Sequence, residues 1–200
     1  MKLVVGTLST WSLRAYLCSQ IAGIKLDLIP INLEAKGYKA EVLKYSPTGL
    51  VPVLLVDDDV VHDSLAITEY LNECSNGALY PKNQSERAQA RSLCMEMHSG
   101  FINLRGQCGF TFDPVSPLDN LSDAMKKEIE RIETIFAQAK GPFMFDQAGA
   151  VDAFYAILAF RLKAYGVSLD GKAGEYQQSL LGWSLLNESL MLARQWSICR

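Results

Sequence analysis

The sequence predicts an α/β half followed by an all-helical half. Three observations predict it. Residues 2 to 74 alternate short β-branched runs with apolar residues at helical spacing. Ser75-Asn76-Gly77-Ala78-Leu79-Tyr80-Pro81-Lys82-Asn83 then breaks into turn formers. No strand signal of weight follows that break, only helical stripes. The expected division is residues 1–78 for the α/β domain and 85–200 for an all-α helical bundle.

Lys2 to Gly6 reads as a buried, parallel-type strand. Leu13, Tyr16, Leu17 and Ile21 recur at helical spacing, and Ala22-Gly23 stops that helix. Leu26 to Ile31 is a second strand, followed by a short helix over about 36–44. Ser46-Pro47-Thr48-Gly49 is turn chemistry. Val53–Val56 and Val60–His62 are two strands, with Asp57-Asp58-Asp59 as a three-residue hairpin loop. Three adjacent carboxylates alternate in direction, so this loop reads as a solvated turn and not as a cation site. Asp63-Ser64 stands at a helix N-cap ahead of Leu65–Leu71.

In the second half, Asn83 with Glu86 three residues on predicts a helix start. Leu93, Met97, Phe101 and Leu104 form one apolar stripe along that helix. Met125, Ile129, Ile132 and Phe136 form another, ended by Gly141-Pro142. Val151 to Tyr165 is apolar nearly all round, the pattern of a central helix. Tyr176 to Trp196 supplies one or two more helices.

Composition excludes several classes. The net charge is −3 and no basic stripe occurs, so no nucleic-acid partner is expected. The longest apolar run, Ala153–Phe160, is far short of a membrane span. Met1–Val5 is too short for a secretory signal, and a cytoplasmic location is expected. Cys18, Cys74, Cys94, Cys108 and Cys199 are odd in number and widely spaced, which fits reduced thiols. His62 and His98 share no ligand spacing with them, so no metal is expected.

Two stretches carry chemistry. Thr7, Ser9, Thr10 and Ser12 put four hydroxyls in six positions at a strand-to-helix junction. Free N–H groups and the helix dipole favour negative charge there. The other is Pro52 at the start of a strand, where a residue without an N–H is tolerated.

S-P-x-G-x-V-P-V-L, then a hairpin, then acid-Ser at a helix start closely resembles the glutathione-binding half of the glutathione transferase family. The resemblance implies a thioredoxin-like first domain, a cis bond before Pro52, and capture of the peptide by the Val51 main chain. It places the γ-glutamyl end on Asp63 and Ser64, and glutathione contacts also at Thr10, Trp11 and Leu50. The family often carries Lys or Arg where this chain has Leu50. Ser9-Thr10-Trp11-Ser12-Leu13-Arg14 resembles the S-S-x-S-x-R motif of serine-type, zeta-like bacterial members. Ser9 is then the first choice to stabilise the glutathione thiolate and Ser12 the second, the capping and catalytic roles falling to different hydroxyls. Trp11 stands where zeta enzymes carry cysteine. Glu96-Met97-His98-Ser99-Gly100-Phe101-x-x-Leu104-Arg105 resembles a segment of one bacterial subgroup. By that likeness Trp11, Phe101 and Arg105 border the electrophile pocket. Asp152 keeps the acid of the family's capping box, and Gly149 replaces its hydroxyl.

The resemblance implies a dimeric, cytoplasmic, detoxifying transferase with glutathione as co-substrate and a small, largely apolar electrophile. The alternatives are a glutathione-dependent isomerase or dehalogenase, and a non-catalytic transferase-like binding protein.

Overall fold

The computed structural model describes residues 1–196; Cys199 lies outside the described residues. The chain divides into two compact units. One takes residues 1–79 with the described residues from Asn187 onward, the other Tyr80–Leu186.

The first unit carries β1 (Lys2–Gly6), α1 (Thr10–Ile21), β2 (Asp27–Ile31), α2 (Tyr38–Val42), β3 (Val53–Val56), β4 (Asp59–His62) and α3 (Ser64–Cys74). Its sheet order is β2-β1-β3-β4. β1 runs parallel to β2 and antiparallel to β3, and β3 is antiparallel to β4. This is the thioredoxin-like arrangement that the resemblance implied. The pleat sorts the strands by face. Val4, Val53 and Ile31 form a cluster closed by Val42 of α2. Leu3, Val5 and Leu54 turn to the other face and are fully buried. α1 and α3 pack together, α1 against β1 and α3 against β3 and β4. The Val51–Pro52 peptide bond is cis.

The hairpin is tighter than the sequence reading. Val56 pairs with Asp59, so the turn is Asp57-Asp58 and Asp59 opens β4. Asp57 adopts φ +50°, a left-handed conformation that aspartate tolerates better than most residues.

The second unit holds α4 (Gln84–Ser99), α5 (Ile102–Gln107), α6 (Asp123–Phe136), α7 (Ala150–Ala164) and α8 (Gly171–Gly182); α9 (Ser184–Trp196) follows. α7 is the central helix, packed against α4 and α8, while α6 packs against α5 and α8. The Tyr155 hydroxyl donates to the Leu93 carbonyl at 3.1 Å, tying α7 to α4. Asn83 caps α4 through the Ser85 and Glu86 N–H groups. The Glu86 carboxylate is taken by Lys140 at 2.6 Å.

The expected stripe from Leu93 to Leu104 is buried but does not lie on one helix. α4 ends at Ser99, and Phe101 sits at φ +55° before α5. Gly100 is needed at this break, because a Cβ there would meet the Glu96 carbonyl oxygen at 2.6 Å. Glu128 reaches across from α6 to accept from the Asn103 N–H at 3.1 Å and the Leu104 N–H at 2.7 Å. These are orphan donors at the start of α5. Arg105 donates back to the Gly100 carbonyl at 3.2 Å.

Asp152 anchors the start of α7. It accepts from the Gly149 N–H at 2.8 Å, the Met144 N–H at 2.8 Å and the Tyr176 hydroxyl at 2.6 Å. Glycine at the cap leaves only the acid's half of the box. Burial pushes the Asp152 carboxyl above the usual carboxylate range, against the pull of its hydrogen bonds. Between the ordinary carboxylate pKa and the folded one, the folded state holds the extra proton. Asp152's contribution to stability therefore falls as pH rises through that window. Asp152→Ala strands two buried donors and one half-buried one, each buried donor costing about 1–3 kcal/mol. A loss of at least about 3 kcal/mol is expected, read from the urea-unfolding midpoint.

Candidate functional site

The register of the sheet gathers the sequence-predicted residues of the first unit at one end. Val4 pairs with Val53, so the chain beyond the end of β1 lies beside the chain that precedes β3. Val53 in turn pairs with His62, which brings Asp63 and Ser64 to the same end. Gly6 shows how close the approach is. A Cβ built there would lie 2.8 Å from Val51 Cγ2 and 2.5 Å from Leu33 Cδ1.

After β1 the chain turns sharply, with Leu8 at φ +56°. Ser9 then caps α1, its Oγ accepting from the Ser12 N–H at 3.2 Å. Capping uses a lone pair of that oxygen and leaves its proton to donate elsewhere. One hydroxyl can therefore cap the helix and meet a thiolate, which corrects the expectation that the two roles need different hydroxyls. Ser12 is fully buried, and its Oγ accepts from the Gly6 N–H at 3.1 Å. Its position is structural: it bolts the first turn of α1 to the end of β1. Thr10 is also buried and accepts from Arg14 Nη1 at 3.2 Å. The Arg14 guanidinium lies 4.3 Å from the centroid of the half-buried Trp11 ring. Gly6 and Arg14 were not among the predicted site residues. Both flank the hydroxyl cluster in the sequence, and a strand-ending glycine was the available signal for the first.

The turn before β3 is held from within. Ser46 Oγ accepts from the Leu50 N–H at 3.3 Å and lies 3.0 Å from Thr48 Oγ1. Leu50 itself is 68% exposed, an apolar side chain at the rim. Val51 is half-buried, and neither its N–H nor its carbonyl has a backbone partner among the described residues. Its main chain is therefore open to an extended peptide.

At the β4–α3 junction, Asp63 takes φ +77° and its Oδ1 accepts from the Leu65 N–H at 2.8 Å. Ser64 begins α3 with 1% exposure. Its Oγ is buried without a hydrogen-bond partner among the described residues. Buried hydroxyls are normally satisfied, so an orphan at a helix start is a place for a bound acceptor. The N-termini of α1 and α3 both lie at this end of the sheet, and their dipoles favour an anion.

The thiols offer no competing nucleophile here. Burial pushes the Cys18 thiol of α1 up to about 12, against smaller pulls from Thr68 and Arg14. Among the described residues no cluster of His, Cys, Asp or Glu is arranged to hold a metal. No described helix is long and apolar enough to cross a membrane.

Phe101 and Arg105 belong to the helical unit. Phe101 is 6% exposed, its ring edge-on to Tyr155 at 6.4 Å. Arg105 Nη1 also reaches the His98 carbonyl at 3.5 Å. Glu96 pairs with Arg131 through two bonds of 2.6 and 2.8 Å. The E-M-H-S-G-F-x-x-L-R segment thus locks the break between α4 and α5.

Ser9 and Ser12 separate in a stability measurement. Ser12→Ala strands the Gly6 N–H in the core and is expected to cost about 1–3 kcal/mol. Ser9→Ala removes a helix cap at a half-buried position, for about 1 kcal/mol. Urea unfolding of the two variants gives the order, and equal losses would contradict it.

The chain is similar in sequence and fold to known proteins. Residues 8–74 match the family model of the glutathione S-transferase N-terminal domain. A maleylacetoacetate isomerase of Rhizobium meliloti is 36% identical over 96 residues, 45% of each chain. A zeta-class glutathione S-transferase of Euphorbia esula is 30% identical over 115 residues, 57% of this chain and 45% of that one. The alignments span just under half the length of these relatives. A solved glutathione transferase homolog from Burkholderia, with bound glutathione, has a TM-score of 0.72 at 21% identity, covering 97% of each chain. That likeness is one of fold. Over residues 8–74 the chain is thus similar to the glutathione S-transferase N-terminal domain, and zeta-like proteins are among the relatives it resembles.

Proposed function

We propose that the protein binds glutathione at the end of its sheet and uses the thiolate to attack a small, largely apolar electrophile. One observation carries the reading. The capping Ser9 hydroxyl, the open Val51 main chain and the orphan Ser64 Oγ lie at one end of one sheet, with two helix N-termini.

Each group has a task in this reading. The Val51 N–H and carbonyl pair with the cysteinyl part of glutathione, as an added strand does. Ser64 Oγ and the open N–H groups of α3 receive the γ-glutamyl carboxylate, and Asp63 faces its ammonium. The Ser9 proton points to the thiol sulfur. The Ser12 N–H on Ser9 Oγ polarises the hydroxyl and makes it a better donor.

A free thiol of this kind has a pKa of ~8.5, so little is ionised at neutral pH. Making thiolate the major form needs about two units, or roughly 2.7 kcal/mol. A hydrogen bond to a charged acceptor gives about 1.5–3 kcal/mol and a helix N-terminus about 0.3–1 kcal/mol. The two together match the requirement. Ser9 stabilises the thiolate and forms no covalent bond. The protein is read as a cytoplasmic homodimer by family.

A second reading has support of its own: the isomerase of Rhizobium meliloti named above. An isomerase would use the same peptide site and return glutathione unchanged. Counting free thiol after turnover separates the two, because conjugation consumes it.

Calorimetry and ultraviolet titration of bound thiolate test the site. Wild type is expected to bind glutathione with the thiol pKa lowered by about two units. Ser9→Ala should return the pKa toward ~8.5 and slow thiolate attack by about 10- to 100-fold. Failure of wild type to bind millimolar glutathione would overturn the catalytic reading.

A further inference from the structure

Thr7 stands between the end of β1 and the left-handed Leu8, and it is 3% exposed. Its N–H donates to the Ile31 carbonyl at 3.0 Å, just past the pairing of Gly6 with Ile31. Its hydroxyl is turned to the chain that leaves β2. Oγ1 accepts from the Leu33 N–H at 2.9 Å and donates to Asn32 Oδ1 at 3.5 Å. Asn32 Oδ1 accepts in turn from the Glu34 N–H at 2.9 Å. The hydroxyl thus commits its single proton and a lone pair to one turn.

This clip seats Leu33. The Leu33 side chain fills the hollow that Gly6 leaves, with Val51 beside it: a Cβ on Gly6 would lie 2.5 Å from Leu33 Cδ1 and 2.8 Å from Val51 Cγ2. Leu33 and Val51 also pack on the same cluster of Val4, Ile31, Val42 and Val53. Ser9 follows Thr7 closely, its N–H donating to the Gly6 carbonyl at 3.1 Å. The turn that carries Ser9 is therefore tied twice. Ser12 ties it to α1, and Thr7 ties it to the residue against which Val51 rests.

We propose that Thr7 is a positioning residue, holding the Ser9 hydroxyl and the Val51 main chain at a fixed separation through Leu33. The inference rests on the glutathione reading and deepens it. In that reading Val51 places the cysteinyl part of the peptide and Ser9 meets its sulfur. The two groups lie far apart in the sequence, so their spacing is set by packing and by the Thr7 clip. A hydrogen bond weakens steeply as its geometry degrades, and a misplacement of about 1 Å can cost about 100-fold in rate. Valine keeps the shape of threonine but strands the Leu33 N–H, whereas serine keeps the hydroxyl.

The readout is the pKa of the bound glutathione thiol, from ultraviolet titration of the full chain, with calorimetry for affinity. Thr7→Val is expected to raise that pKa by about half a unit or more, at least a roughly threefold change in the ionisation constant. Thr7→Ser should restore the wild-type value. A residue that served only the fold would lower the urea midpoint and leave the thiol pKa of the folded protein unchanged. That result overturns the proposal, and so does a Thr7→Ser variant that titrates like Thr7→Val. If Thr7→Val does not fold, amide exchange in wild type decides. Glutathione should slow exchange at the Leu33 N–H together with the Ser12 N–H, and slowing at Ser12 alone overturns the proposal. Ser9→Ala keeps the two readings apart. If Ser9→Ala loses the low thiol pKa while folded Thr7→Val keeps it, the positioning role alone is wrong. If wild type binds no glutathione, the site and the role fall together.

Discussion

The hydrogen bond from the Gly6 N–H to Ser12 Oγ is the contact on which the proposed site at the end of the sheet depends. It joins the last residue of β1 to the first turn of α1, in a fully buried place where neither group has water as an alternative. With that bond made, the intervening residues have little freedom. Leu8 is driven into the left-handed region, and Ser9 falls at the cap with its oxygen over the helix axis. Gly6 completes the constraint from the other side, because without a Cβ it lets Val51 approach. The Ser9 hydroxyl and the Val51 main chain are thus positioned by one strand end.

The helical unit is organised by a different device. α7 is almost wholly buried, so its polar groups must be satisfied inside. Asp152 does this at the start by collecting donors from two elements, and Arg161 meets a carbonyl near the end. The break between α4 and α5 is held in the same manner by Glu128 and Arg105, each serving backbone groups of the kink. Asp152, Arg161, Glu128 and Arg105 thus all serve main-chain groups of this unit. Arg105, which the resemblance placed beside the electrophile pocket, also serves the carbonyls of the kink.

Most of the fold was legible because its signals are local. Short apolar and β-branched runs gave β1, β3 and β4, and capping residues (the hydroxyls before α1, Asp63 before α3 and Asn83 before α4) gave the helix starts. The misreadings share a cause. The Asp57-Asp58 turn and the Gly100 break depend on single left-handed residues, Asp57 and Phe101, whose side chains do not announce that conformation. That Ser9, Val51 and Ser64 meet at one end of the sheet was legible from spacing, while the inward hydrogen bonds of Ser12 and Thr10 were not. A hydroxyl turned inward to a strand and one turned outward to a ligand look alike in sequence. The same holds for Arg161, a plain basic residue near a helix end until its neighbours are known.

Leu50 bears on how the proposed glutathione site makes its field. The resembling family often places a cation at this position, and here an exposed leucine occupies it. The positive potential at the end of the sheet then comes from the N-termini of α1 and α3 and from open main-chain N–H groups. Such dipoles are rigid and short-ranged, unlike a mobile lysine at the rim. Solvent-exposed charges are screened over about 10 Å at 0.1 M salt, whereas groups held against a buried junction are screened much less. A site built this way holds its anion by contact more than by long-range attraction. In the proposed function such a site gives up some steering of a charged peptide, and in return its apolar rim, the exposed Leu50, suits a hydrophobic co-substrate.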